Sequence, residues 1–219
     1  VTAIVPANWE ETILPQHLAE WLGSGVSEEI TRLNVRSLSG DDALDAVIGQ
    51  AISKLGAHSQ QYDTKEVARL KLKYAHVANG GWWCQGLDPC NDWAVLDWGQ
   101  FKPDVPRENP EKPEKWIKYE TPLKTTASAI VLRHPHADYW PKVIADPAIP
   151  LIICEGAKKA GFLMSLGFPS IGLPGITMGI RKGDAAERTL IPALQAFCQP
   201  NRPWVICFDE DTDPNTRNK

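Results

Sequence analysis

The sequence lacks long apolar runs and a cysteine pattern, and each absence excludes a class of protein. Its longest apolar runs, such as residues 149–154, fall far short of the roughly 20 residues that a membrane-spanning helix needs. No charged-then-apolar leader opens the chain. Of the five cysteines, Cys84 and Cys90 form a spaced pair, but no second pair follows at zinc-finger spacing. We therefore expect free thiols in a reducing, cytoplasmic setting, with no membrane partner.

An excess of positive charge is also missing. The 23 Lys and Arg residues are outnumbered by 27 Asp and Glu residues, which gives a formal net charge of −4. A protein that coats nonspecific DNA usually carries a strong positive charge. Any contact with nucleic acid must therefore be made by a local group of basic residues.

Motifs of several enzyme classes do not occur. Ser165 lies in no Gly-x-Ser-x-Gly elbow, so a serine nucleophile is not supported. The turn after residues 149–154 has one glycine where the dinucleotide-binding fingerprint needs three. His134 and His136 could supply two zinc ligands, but no third ligand is evident nearby, which favours a surface loop.

The 219 residues fall into three regions of different texture. Residues 1–80 are helical, and from Asp41 or Asp42 to Leu55 apolar residues recur at the spacing of an amphipathic helix that packs on a core. Residues 81–146 are rich in tryptophan and proline, which predicts irregular α+β structure with an exposed loop at 107–114. Its tryptophans are expected to fill a core, and base stacking is the rarer alternative.

Residues 147–219 alternate regularly between apolar runs and helical patterns. Strands are predicted at 149–154, 169–173 and 203–208, and helices at 157–166 and 184–197. Alternation of this kind indicates an α/β unit with a parallel sheet and right-handed crossovers.

Carboxylates follow the predicted strands at the edge where parallel sheets bind ligands. Glu155 and Gly156 follow the first strand, and Asp209, Glu210, Asp211 and Asp213 follow the last. Carboxylates this close repel one another, so a cation such as Mg²⁺ or Mn²⁺ would stabilise the cluster. An exposed acidic turn is the plainer alternative. Lys158 and Lys159 could meet phosphate oxygens or could simply be solvated.

These residues, together with the Gly172-Leu173-Pro174-Gly175 turn, resemble the Toprim domain of bacterial primases, topoisomerases and related nucleases. The resemblance covers about residues 149–213 and implies a Rossmann-like parallel sheet with flanking helices. In that family the glutamate and the Asp-x-Asp bind Mg²⁺. The resemblance thus implies that Glu155, Asp209 and Asp211 are catalytic metal ligands, with Asp213 as a further ligand.

A second resemblance points to the primases of phage and plasmid replication, including DUF3854-like domains. Residues 98–104 followed by 118–122 resemble the segment that precedes the Toprim unit in replicative primases. By that similarity nucleoside triphosphate or single-stranded DNA template would contact basic residues, namely Lys118, Lys102, Arg107 and Lys124, with Lys158 and Lys159. A helicase domain fused downstream is implied as a partner. The zinc ribbon of replicative primases is missing, and a Toprim unit continues beyond the acidic tip, so a truncated domain is expected.

The sequence thus predicts an α/β fold of Toprim type at 147–219, preceded by the helical region and the α+β region. The expected function is primer synthesis by a nucleotidyltransferase in DNA replication. A Toprim nuclease is an alternative, whereas a topoisomerase would need a tyrosine nucleophile that nothing marks. A noncatalytic nucleic-acid-binding module of a replication helicase is another alternative.

Overall fold

The computed structural model describes residues 13–57, 64–182 and 188–209. It begins with helices α1 (Pro15–Gly23) and α2 (Glu28–Asn34). The Ser27 hydroxyl accepts a 3.3 Å hydrogen bond from the backbone N–H of Ile30 and so caps the start of α2.

The predicted amphipathic helix is present, with an irregular turn in its middle. Helix α3 (Gly40–Leu44) runs through a π-helical turn (Asp45–Gly49) into α4 (Gln50–Ala57). Its apolar stripe packs on α5 (Thr64–Lys73), a 3₁₀ turn (Ala75–Asn79) and the rings of Trp83 and Phe101. The stripe is core, as its spacing indicates.

An antiparallel sheet follows, formed by β1 (Val35–Leu38), β2 (Gly81–Asp88) and β3 (Ala94–Pro103) in that spatial order. Neighbouring residues of a strand point to opposite faces. Trp82 and Trp83 are both buried and belong to different hydrophobic clusters, one on each side of β2. These two tryptophans fill cores rather than offering a stacking surface.

The segment 107–114, predicted as an exposed loop, is exposed but forms a β-hairpin. Strands β4 (Arg107–Asn109) and β5 (Lys112–Ile117) pair antiparallel. The Asn109 side chain closes the turn by accepting a hydrogen bond from the backbone N–H of Glu111. The prolines and charges of this segment concealed the pairing from sequence reasoning.

A parallel sheet forms the carboxyl-terminal part, with strands β6 (Leu151–Glu155), β7 (Ser170–Leu173) and β10 (Trp204–Cys207) in the spatial order β10-β6-β7. Helices α6 (Tyr139–Ala145) and α7 (Ala157–Ser165) accompany it. The predicted α/β architecture with parallel strands is confirmed at this level.

The helix predicted at 184–197 is wrong over the residues that the structure describes. Strands β8 (Ile180–Lys182) and β9 (Arg188–Leu190) form a hairpin, and only α8 (Pro192–Gln195) is helical. Ile191 is extended, with φ −65° and ψ 151°, because the following proline disfavours helical backbone at the residue before it. Residues 183–187 lie outside the described ranges.

Residues 129–132 join the two larger sheets. Leu87 of β2 donates to the Val131 carbonyl at 2.8 Å, while Ile130 and Gly172 of β7 exchange hydrogen bonds of 2.7 and 3.0 Å. The side chains of this segment are fully buried in a cluster that also holds Trp21, Trp82 and Trp140. The division into three domains stays a prediction. Within the described ranges, no helix is both long and apolar enough to span a membrane.

Candidate functional site

Glu155 and Asp209 lie beyond the same edge of the parallel sheet. Glu155 ends β6 and pairs in register with Leu173, the last residue of β7. Cys207 ends β10 opposite Cys154, and Asp209 follows two residues later. Strand ends of a parallel sheet share one edge, so the two carboxylates that the sequence assigns to a site stand at neighbouring strand tips. Asp209 is exposed, and Glu155 is half-buried.

The turn between β6 and α7 depends on two glycines. Gly156 adopts φ +79°, a conformation that favours glycine, and its N–H donates to the Leu173 carbonyl at 2.7 Å. A Cβ on Gly172 would lie 2.6 Å from the Gly156 carbonyl oxygen. The absence of a side chain at Gly172 therefore allows a close approach to the backbone of the neighbouring turn.

The amino terminus of α7 is capped from a distant strand. Gly156 at the cap position offers no side chain, and the Gln100 side-chain oxygen of β3 accepts from the backbone N–H of Ala157 at 3.3 Å. Gln100 is buried, so this bond ties the antiparallel sheet to the first turn of α7. Sequence reasoning missed Gln100 because its partner lies 57 residues along the chain.

Two consecutive lysines at the start of α7 reach in different directions. Lys159 forms an ion pair with Asp209 at the acidic edge, and both side chains are well exposed. Lys158 instead pairs with Glu20 of α1 at 2.7 Å. An exposed pair such as Lys159 with Asp209 contributes little to stability. The first turn of α7 therefore places one cation at the acidic edge and one beside α1.

Glu20 gathers the second group of charges. Lys102 of β3 pairs with it at 2.8 Å, beside Lys158, and the Trp82 indole N–H donates to its other oxygen at 3.1 Å. Burial alone would raise the pKa of Glu20, but the hydrogen bonds from Lys102 and Lys158 outweigh burial and lower it. No local pattern in the sequence marked Glu20.

Lys102 and Lys118 line one cleft of about 450 Å³. Glu20, His17 and Asp104 also line it. The ring of His17 is almost fully buried, with Nδ1 2.6 Å from the Ser37 hydroxyl and Nε2 2.7 Å from Asp104 Oδ1. These contacts join α1, β1 and the end of β3, so the wall of the cleft is well fixed.

The other predicted basic residues do not line this cleft. Arg107 binds the buried Glu120 through Nε at 2.6 Å and Nη2 at 3.2 Å, and this hydrogen bonding raises the pKa of Arg107. His76 also contacts Glu120, at 3.1 Å. Lys124 lines a separate groove beside α4 and α5, and its carbonyl accepts from Lys54 Nζ. Arg107 therefore holds the β4–β5 hairpin on the core.

The described residues place two carboxylates, Glu155 and Asp209, at the sites where the sequence predicts metal ligands. They contain no group of three or more histidine, cysteine, aspartate or glutamate side chains that could hold an ion. Glu155 and Asp209 bring two carboxylates to one edge, and such hard oxygen donors suit Mg²⁺ or Mn²⁺. Asp211 and Asp213 lie outside the described residues. The donor chemistry fits a divalent cation to this extent.

The cysteines and the two neighbouring histidines are the remaining candidate ligands. All five cysteines are free. The His134 ring stacks on Tyr139 with centroids 3.8 Å apart and lies 5.2 Å from the His136 ring. Burial lowers the pKa of His134, and the neighbouring His136 lowers it further. Within the described part of the chain, no third ligand joins these histidines.

Comparison with known proteins gives a family match over the carboxyl-terminal part and a much longer relative. Residues 139–219 match the family described as "Domain of unknown function (DUF3854)". The chain is also 39% identical, over 238 aligned residues, to an uncharacterized protein of Picosynechococcus sp.. That alignment covers 97% of this chain and 23% of the relative, so the chain spans about a quarter of the relative's length. No solved structure matches the chain.

Proposed function

We propose that this chain performs metal-dependent phosphoryl transfer on nucleic acid as a Toprim-type primase, making primers on single-stranded DNA from nucleoside triphosphates. One observation carries the proposal: the first turn of α7 joins the acidic edge to the basic cleft. Lys159 contacts Asp209, while Lys158 shares Glu20 with Lys102, which lines the cleft beside Lys118. A nucleotidyl-transfer site needs carboxylates for metal and cations for phosphate side by side.

The proposed roles follow from charge and position. Glu155, Asp209 and Asp211 would hold Mg²⁺, with Asp213 as a further ligand. When bound, the ion neutralises phosphate charge and polarises the reacting phosphoryl group. Lys102 and Lys118 of the cleft, together with Lys158 on the shared Glu20, bind and orient the triphosphate. Glu20 keeps two of these ammonium groups in place before the nucleotide arrives.

The test is primer synthesis on single-stranded DNA with labelled nucleotides and Mg²⁺ or Mn²⁺. The double variant Asp209→Asn with Asp211→Asn should lose product by roughly a hundredfold or more, because it keeps shape but loses charge at the metal ligands. Asp97→Asn, the same change at an exposed residue of β3, is the matched control and should keep full activity. Binding of single-stranded DNA by each protein is measured alongside.

A noncatalytic binding module is the second candidate, and the ion pair between Lys159 and Asp209 favours it. The Lys159 ammonium already neutralises the charge of the Asp209 carboxylate, which a bound metal ion would otherwise neutralise. If neither the parent chain nor the double variant makes product while both bind DNA equally, the binding module replaces the primase. Metal-dependent shortening of the DNA in the same assay would indicate the nuclease alternative.

A further inference from the structure

A second cavity lies away from the acidic edge and the basic cleft, between α4 and α5. It is a groove of about 850 Å³ that also borders Leu123 and Lys124. Its apolar lining is aliphatic and includes Leu55, Leu70, Leu72 and Leu123. Leu72 is 78% exposed. A contiguous apolar lining open to solvent commonly marks an interaction site.

Cations surround this apolar lining. Of the charged residues that the structure describes in its lining, four are cationic, Lys54, Arg69, Lys73 and Lys124, and one is acidic, Glu66. The Lys54 ammonium is held at 2.6 Å by the Lys124 carbonyl, which fixes one positive charge at the rim. Over its ten residues α5 carries four cationic side chains and one acidic side chain, although the whole chain has a net charge of −4.

The aliphatic lining and the cationic rim together favour one kind of occupant. Among the described residues that line it, the groove presents leucines and no aromatic ring, and this lining suits aliphatic side chains better than stacked bases. An amphipathic helix, in contrast, buries an apolar stripe in such a groove while its polar residues face the rim. Because the rim is cationic, complementary residues on that helix are acidic.

We propose that the groove between α4 and α5 binds an acidic, amphipathic segment of a partner protein. The site goes beyond the proposed function, since it would recruit a partner whether or not the acidic edge is catalytic. Leucines or similar aliphatic residues of the partner occupy the lining formed by Leu55, Leu70, Leu72 and Leu123. Glutamates or aspartates of the partner pair with Arg69, Lys73 and the fixed Lys54.

The probe is a fluorescent synthetic peptide of about 18 residues, with leucines on one helical face and glutamates on the other. The full chain should bind it, as measured by fluorescence anisotropy. Two control peptides have the same length: one moves the leucines off a common face, and one replaces each glutamate with lysine. Both should bind at least roughly tenfold more weakly, because each removes one half of the complementarity.

A matched pair of variants locates the binding. Arg69→Glu reverses a charge that lines the groove and should weaken binding of the acidic peptide about tenfold. Lys71→Glu makes the same charge change on an exposed residue of the same helix that does not line the groove, and should leave binding nearly unchanged. Leu72→Ser should also weaken binding. Circular dichroism checks that all three exposed substitutions leave the protein folded.

The proposal is overturned if the acidic peptide does not bind, or if Arg69→Glu and Lys71→Glu weaken it equally. A single-stranded oligothymidine provides a further test. If it displaces the peptide, and if Arg69→Glu weakens binding of the oligothymidine itself, the groove binds nucleic acid and the proposal is overturned. Primer synthesis is assayed on the same variants, and its failure or success does not alter the peptide result.

Discussion

The thiols of this protein divide into two classes because of their surroundings. Cys84 and Cys154 are buried in the common core, and burial raises the pKa of each to about 12. Cys90, Cys198 and Cys207 are exposed. Since the thiolate is the reactive form, the first two should be inert in the folded protein.

Titration with an aromatic disulfide reagent at pH 8 checks this. We expect three thiols to react in the native protein and five in denaturant. Reaction at Cys90 should be the slowest of the three, because burial and the neighbouring Asp88 raise its pKa. Mass spectrometry of the labelled protein identifies the sites. Rapid native labelling of Cys84 or Cys154 would contradict the packing described for β2 and β6.

Single residues also show what sequence reasoning could not find at the candidate site. Glu155 and Asp209 were marked by their positions directly after apolar strands, which is a local signal. Glu20 and Gln100 had no such signal, because their partners in α7 lie 138 and 57 residues away. A contact of that separation depends on how the elements pack, and neither residue type nor spacing reveals it.

Among the elements, the turn between β6 and α7 is the most closely packed part of the candidate site. Gly172→Ala would bring its Cβ to 2.6 Å from the Gly156 carbonyl oxygen, so β7 or the turn must shift. We expect a loss of about 1–3 kcal/mol in the free energy of unfolding. Chemical denaturation measures it.

Gly23→Ala is the control for this substitution. A Cβ at Gly23, the last residue of α1, meets no atom within 4 Å. Its effect should stay within about 0.5 kcal/mol. Equal stabilities for the two variants would show that β7 has more room than the Gly172 contact indicates.

Elements with strong local patterns were predicted, and those decided by one residue were not. The apolar runs of β6, β7 and β10 and the helical spacing of α7 were read correctly to within two residues. Apolar spacing at 184–197 suggested a helix, but Pro192 sets a new start and leaves Ile191 extended. At 107–114 the proline content concealed a turn closed by Asn109.

For the whole molecule, residues 129–132 determine where the chain can be divided. The family match begins at residue 139, after this segment, although Ile130 covers the open edge of β7 at Gly172. A fragment of residues 139–219 would expose that edge, and uncovered edge strands promote aggregation. We expect it to form large species in size-exclusion chromatography.

A fragment of residues 125–219 is the matched comparison. It keeps residues 129–132 but, like the shorter fragment, lacks helices α1 to α5. It should contain a clearly larger monomeric fraction, and the full chain should be monomeric or form a defined small oligomer. Equal aggregation of the two fragments would mean that loss of the shared core, rather than the open edge, decides the outcome.

The strand order β10-β6-β7 has a consequence for the nascent chain on the ribosome. The central strand β6 is made well before β10, its neighbour on one side, which is the last strand that the structure describes. Until residues 204–207 leave the exit tunnel, one edge of β6 must remain unpaired. Synthesis therefore exposes an apolar strand edge for a period set by translation speed, and edges of this kind are prone to aggregation.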